Sequence, residues 1–118
     1  MGITVTAPQE ALRSLGAFTV VADGTEQTLV DQGEGPTRVM GYIDLSLMLG
    51  GDTVFVRHYV KVKSGGAWVC YAEETYTGVQ AVPLVYITEK PANHGLKVSL
   101  QQTAGVFKAF DCEFLEEV

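Results

Sequence analysis

From residue 17 onward, apolar and polar side chains alternate along this chain with a period of two. That period marks strands with one packed face and one wet face. "AFTVVA" and "EQTLV" flank Asp23-Gly24, a residue pair that predicts a tight hairpin. After the loop "DQGEGPT", the stretch "RVMGYIDLSLML" sets Val39, Ile43, Leu45 and Leu47 on one face and Met40, Tyr42, Asp44 and Ser46 on the other. Gly50-Gly51-Asp52 ends that strand. "TVFVRHYVKVK" and "AWVCYAEETYT" flank Ser64-Gly65-Gly66 and predict a long antiparallel hairpin. "PLVYITE" is a further strand, and "KPANHG" a turn. "LKVSLQQ" turns Leu96, Val98 and Leu100 inward, with Lys97, Ser99 and Gln101 outward. Past "TAG", the stretch "VFKAFDCEFL" aligns Val106, Phe110, Cys112 and Phe114, with Lys108 as the exception. Seven or eight short strands with frequent turns predict an all-β fold: a single antiparallel β-sandwich over residues 17–118, jelly-roll-like or Greek-key.

The first sixteen residues break the pattern. Thr6 and Gln9 have capping-box spacing, Pro8 falls in a tolerated first turn, and Leu12 and Leu15 share a side at helical spacing. A short helix or arm over 1–16 is expected, too short to stand alone and so docked on its own domain or on a neighbour. No basic-then-apolar leader is visible, and no run is apolar for the length of a membrane span. "MGITVT" meets a short myristoylation pattern that by itself gives only weak anchoring.

At 118 residues the chain has the size of one domain, and 47% hydrophobic residues exclude a disordered chain. A formal net charge of −6 leaves no electrostatic footprint for nucleic acid. Basic residues nevertheless gather at Arg57, Lys61 and Lys63.

Candidate chemistry centres on His58. It occupies the row of Val54, Val56, Val60 and Val62, so it is expected on the packed side, as a buried polar residue whose ring needs a partner. Glu73, Glu74 and Tyr76 on the facing strand are the partners within register. His94 lies in a turn, and no spacing joins it to His58 or to the two cysteines as a zinc site. Cys70 and Cys112 are expected as two buried free thiols, pairing only if their strands are neighbours. Glu73 and Glu74 are adjacent on a strand and point to opposite faces, so they cannot flank one glycosidic bond; pairing with Arg57 or Lys61 suits them better. No serine stands in a nucleophile elbow, and the glycine pairs do not lead from strand to helix as a phosphate loop does. The reading is therefore no enzyme, no cofactor and no metal. The odd face of the hairpin, Phe55, Arg57, Tyr59, Lys61 and Lys63, with Trp68 or Tyr71 according to register, mixes aromatic and basic groups and is the candidate interface. Tyr59, Trp68 and Tyr71 also suit a carbohydrate-stacking platform.

"GYIDLSLMLGGDTVFVRHYVKVKSGGAWVCYAEETYTGVQ" and "GLKVSLQQTAGVFKAFDCEFLE" resemble small β-sandwich structural proteins of tailed bacterial and archaeal viruses, over roughly residues 37–115. The resemblance implies a virion component: a capsid decoration or a head- or tail-associated subunit. Such a protein would assemble in the host cytoplasm as a homo-oligomer, with a trimer among the candidates, and contact other virion proteins. A small carbohydrate-binding module is the alternative.

Overall fold

The computed structural model describes residues 12–117. It is all-β, with eight strands: β1 (Leu12–Val21), β2 (Gln27–Gln32), β3 (Val39–Asp44), β4 (Thr53–Val60), β5 (Val69–Thr77), β6 (Leu84–Thr88), β7 (Leu96–Ala104) and β8 (Ala109–Glu117). They form two antiparallel four-stranded sheets. Sheet one has the order β1-β8-β3-β6, and sheet two the order β2-β7-β4-β5. Consecutive strands lie in opposite sheets everywhere except at β4–β5, the wrapping of a jelly-roll-like sandwich.

The inward rows make the core. Val39 and Ile43 of β3 and Phe110, Cys112 and Phe114 of β8 face Val54 and Val56 of β4 and Leu96, Val98 and Leu100 of β7. Leu45 and Met48, from the β3–β4 connection, close one end. Full burial of each such side chain contributes about 1.5–3 kcal/mol relative to exposure.

Several expectations are corrected. Asp23-Gly24 does not close a hairpin: β1 pairs with β8 and β2 with β7, so the turn carries the chain across the sandwich. Its local chemistry is still that of a tight turn, with Asp23 Oδ1 accepting from the Thr25 amide at 2.9 Å and Gly24 at φ +88°. The "KVSLQQTAG" turn likewise joins β7 and β8 across the two sheets. Leu47 points to solvent and Met48 takes the buried place, because β3 ends at Asp44, whose carboxylate accepts from the Ser46 amide and turns the chain. Val62 and Val106 lie outside the strands and are exposed. Ser99 faces outward as expected yet is buried, because Glu26 covers it.

The helix expected over residues 1–16 falls partly outside the described residues. Within them, Leu12–Gly16 are strand: Leu12 and Arg13 pair with Glu117 and Glu116 of β8, and a bulge sets Leu15 against the core. A free β8 edge outcompetes two turns of helix.

The connections gather by parity. Residues 22–26, 45–52, 78–83 and 105–108 meet at one end, where the Ala22 amide donates to Lys108, Leu45 to Pro83 and Gly78 to Asp52. Two buried polar side chains pin this end. Asp52 pairs with Lys108 at 3.1 Å, and Gln102 donates to the Val106 carbonyl while accepting from the Lys108 amide. Residues 33–38, 61–68 and 89–95 meet at the other end, through Gly35 to Asn93 and Lys61 to Gly95.

Gly41, in β3 between β6 and β8, packs directly under the Phe114 ring. A Cβ there would lie 2.5 Å from both the Glu113 carbonyl oxygen and the ring. Gly41→Ala is expected to destabilise the fold by about 1–3 kcal/mol, read as a lower denaturant midpoint at unchanged slope. An unchanged midpoint would contradict the packing.

Candidate functional site

His58 is 5% exposed and lies on the inner face of β4, with Ala72 and Val98 beside it. Alternation along β4 puts an imidazole where the row would otherwise carry another valine. Its Nε2 lies 2.6 Å from Glu74 Oε1 on β5. Its Nδ1 lies 2.7 Å from Glu89 Oε2, one residue beyond β6. Glu89 is 2% exposed and is held there by its own amide, which donates to the Val39 carbonyl. The Tyr71 hydroxyl donates to Glu89 Oε1 at 2.9 Å, and its ring leans against the imidazole with centroids 5.9 Å apart. The four side chains thus tie the two sheets together.

Electrostatics set the protonation. Burial works against a charged imidazole, but the hydrogen bonds and charges of Glu89, then Glu74, outweigh it and raise the His58 pKa above 6.5. In the charged form both ring nitrogens donate, one to each carboxylate. Burial, reinforced by Glu89, pushes the Tyr71 hydroxyl up to about 12, so it stays a donor. Neither imidazole nitrogen is free to take a proton from a substrate, and both bond carboxylates. The cluster can hold two sheets and sense pH, but it does not compose a nucleophile–base pair.

Glu74 borders a cleft of about 210 Å³ with Tyr76, Val85, Tyr86, Ile87 and Thr88. His94 stands apart, its Nδ1 3.1 Å from Glu34 across the 33–38 and 89–95 connections. Among the described residues, no three or more His, Cys, Asp or Glu side chains are grouped to hold a metal ion. Cys112 is buried in sheet one, its thiol pushed up to about 12 by burial and then by Asp111 and Asp44. Cys70 is exposed on the edge strand of sheet two, which corrects the expectation of two buried thiols; both are free.

The candidate interface divides. Phe55, Arg57 and Tyr59 share the outer face of sheet two. There Arg57 donates to Glu73 at 2.7 Å and Gln101 at 2.8 Å and lies over Phe55 at 5.2 Å. The Tyr59 hydroxyl and Ser99 hydroxyl both donate to Glu26. Trp68 joins this face: Lys97 Nζ lies 4.6 Å from the Tyr59 ring centroid and 5.0 Å from that of Trp68, and Lys61 Nζ 4.7 Å from Trp68. Lys63 is exposed in the β4–β5 connection. Tyr71 does not join them. A bulge between His58 and Tyr59 leaves it unpaired opposite β4 and turns it to Glu89. Sequence reasoning placed Glu73 and Glu74 on opposite faces and left their partners open; in the structure the first bonds Arg57 and the second His58. It missed Glu89, 31 residues from His58, whose only signal was a carboxylate ending the alternating run "PLVYITE".

No protein-family model matches the chain, and no curated protein matches it. Among solved structures it is similar to a chain in the crystal structure of an infectious bursal disease virus VP2 subviral particle, with 10% sequence identity and a TM-score of 0.50. The likeness covers 89% of this chain and 32% of that one, so the protein spans about a third of the other chain's length. At this identity the likeness is one of fold.

With its folded pKa raised above the unfolded value of 6.5, His58 stabilises the protein fully below that pH and less as pH rises through the folded value. His58→Gln is expected to lose about 1–3 kcal/mol at pH 6 and to lack this pH dependence, with Glu74, open to water, contributing less than Glu89. Urea unfolding at a series of pH values checks it. Equal pH slopes in both proteins would refute the charged cluster.

Proposed function

We propose that this chain is a non-enzymatic structural subunit of a viral particle, a capsid decoration or head- or tail-associated protein that works as a homo-oligomer and contacts other virion proteins. The observation that carries the reading is the fold likeness over 89% of the chain to a chain of a subviral particle. The surface supports it. Leu47, Leu49, Val79, Val82, Val106 and Phe107 are all exposed at the end where the odd-numbered strands finish, which gathers apolar side chains at one place on the surface. Subunit contacts cover such surface. In this reading the outer face of sheet two, with Phe55, Arg57, Tyr59, Lys61, Lys63 and Trp68, is a contact face, and the protein resides in the virion.

The carbohydrate-binding alternative is less well supported. Tyr59 and Trp68 already carry lysine ammonium groups over their rings, and Tyr71 is turned to Glu89, so the three do not form one open platform.

Light scattering and sedimentation across a dilution series are expected to give a discrete oligomer at roughly 50 µM, dissociating as concentration falls. Val106→Ser with Phe107→Ser, at exposed positions, and separately Tyr59→Ser, are expected to shift that equilibrium toward monomer if their faces are in the contact. A wild-type protein that stays monomeric at that concentration would overturn the reading.

A further inference from the structure

Four of the eight basic side chains are neutralised within the chain: Arg13 by Glu116, Arg38 by Glu117, Arg57 by Glu73 and Glu26, and Lys108 by Asp52. The other four, Lys61, Lys63, Lys90 and Lys97, are in no salt bridge among the described residues. All four lie in β7 or in the connections at the end of the sandwich opposite Asp52. Two of them, Lys61 and Lys97, are held over the same indole of Trp68. The positive charge left outside salt bridges among the described residues is therefore concentrated at one place, in a protein of net −6. Two ammonium groups beside one ring repel each other, and an external carboxylate relieves that repulsion. Lys61 and Lys90 also border an open groove with Val60, Val62, Pro91 and His94, so apolar surface lies beside the charge.

The opposite sign stands on the other side of the molecule. Asp111, Glu113 and Glu117 alternate with the buried Phe110, Cys112, Phe114 and Glu116 along β8, and so form a column on the outer face of sheet one. Among the described residues Glu113 is in no salt bridge and Asp111 accepts only from the Thr19 hydroxyl, while Glu117 at the end of the column is paired with Arg38 at 3.9 Å. Beside Glu113 stand Tyr42 and its cross-strand partner Tyr86, rings 5.2 Å apart and both exposed.

We propose that the lysine cluster around Trp68 of one copy receives the β8 carboxylate column of a second copy, so that the chain self-associates face to back. The inference rests on the oligomeric reading above and names the surfaces. Because the two surfaces differ, the contact is heterologous and yields a ring where the rotation closes and an open chain where it does not. Ions weaken it, since the paired groups are at the rim of the contact and open to solvent.

The test uses the full chain in sedimentation velocity at low and high salt, with two variants whose folding is checked by circular dichroism: Lys61→Glu with Lys97→Glu, and Asp111→Lys with Glu113→Lys. Wild type is expected to associate at low salt and to dissociate as salt rises. Each variant alone is expected to weaken association at least about tenfold, the loss of about 1.4 kcal/mol. An equimolar mixture of the two is expected to associate again, since each then carries the charge the other lacks. Two misfolded proteins would not recover on mixing. Oligomeric wild type with variants of unchanged mass, or a mixture that stays apart, overturns this contact and leaves the oligomeric reading standing. A wild type that is monomeric at every salt overturns both.

Discussion

Burial of the inward rows is the constraint on which the structure rests, because almost no ladder is closed by a local turn. Leu12 pairs with Glu117 and Gln27 with Leu100, and β4–β5 is the sole hairpin among the described strands. Bringing such distant segments together costs loop-closure entropy that no single turn repays. The return comes when Phe110, Phe114, Ile43 and the valines and leucines of β4 and β7 leave water together. The fold is accordingly cooperative: removing one inner row would leave its sheet's partner uncovered.

Polar groups in that interior have their hydrogen bonds met at the main clusters, while the buried Gln27 Oε1 has no partner among the described residues. His58 is tolerated in a valine row because Glu74 and Glu89 supply acceptors for both ring protons and Tyr71 completes Glu89. Gln102 is tolerated because the β7–β8 turn offers two carbonyls and an amide. On β8, Glu116 is satisfied by Thr37 at 2.7 Å and by Arg13 of β1, which together draw its pKa below the ordinary carboxylate value. Of these contacts, His58–Glu89 joins elements that no ladder pairs, so it helps set how the two sheets seat on each other as well as tolerating the buried charge. A hydrophobic replacement of equal shape could match the energy and would not carry the directional information.

The outside is divided by charge and by polarity. One sheet presents carboxylates and a tyrosine pair, the other an arginine-centred network and the lysines about Trp68, and one end carries bare aliphatic side chains. Of the two histidines, His58 has both ring nitrogens against carboxylates and His94 lies against Glu34.

Much of this was legible along the chain, and the reason is geometric. A strand's side chains alternate whatever it pairs with, so the period of two revealed the all-β class, the inward rows of β3, β4, β7 and β8, and the opposed directions of Glu73 and Glu74. It also placed His58 in its valine row. Pairing is a different matter. An Asp-Gly turn has the same local chemistry whether it closes a hairpin or passes the chain to another sheet, so the destinations of β1, β2, β7 and β8 were invisible at Asp23-Gly24 and at Gly105. Strand ends were equally hidden, and with them the exposure of Leu47, Val62 and Val106. The bulge that turned Tyr71 toward Glu89, and Glu89's arrival at His58 from beyond β6, were decided only when two sheets had to close over one core, because only there does an unpaired charge become costly enough to select its partner.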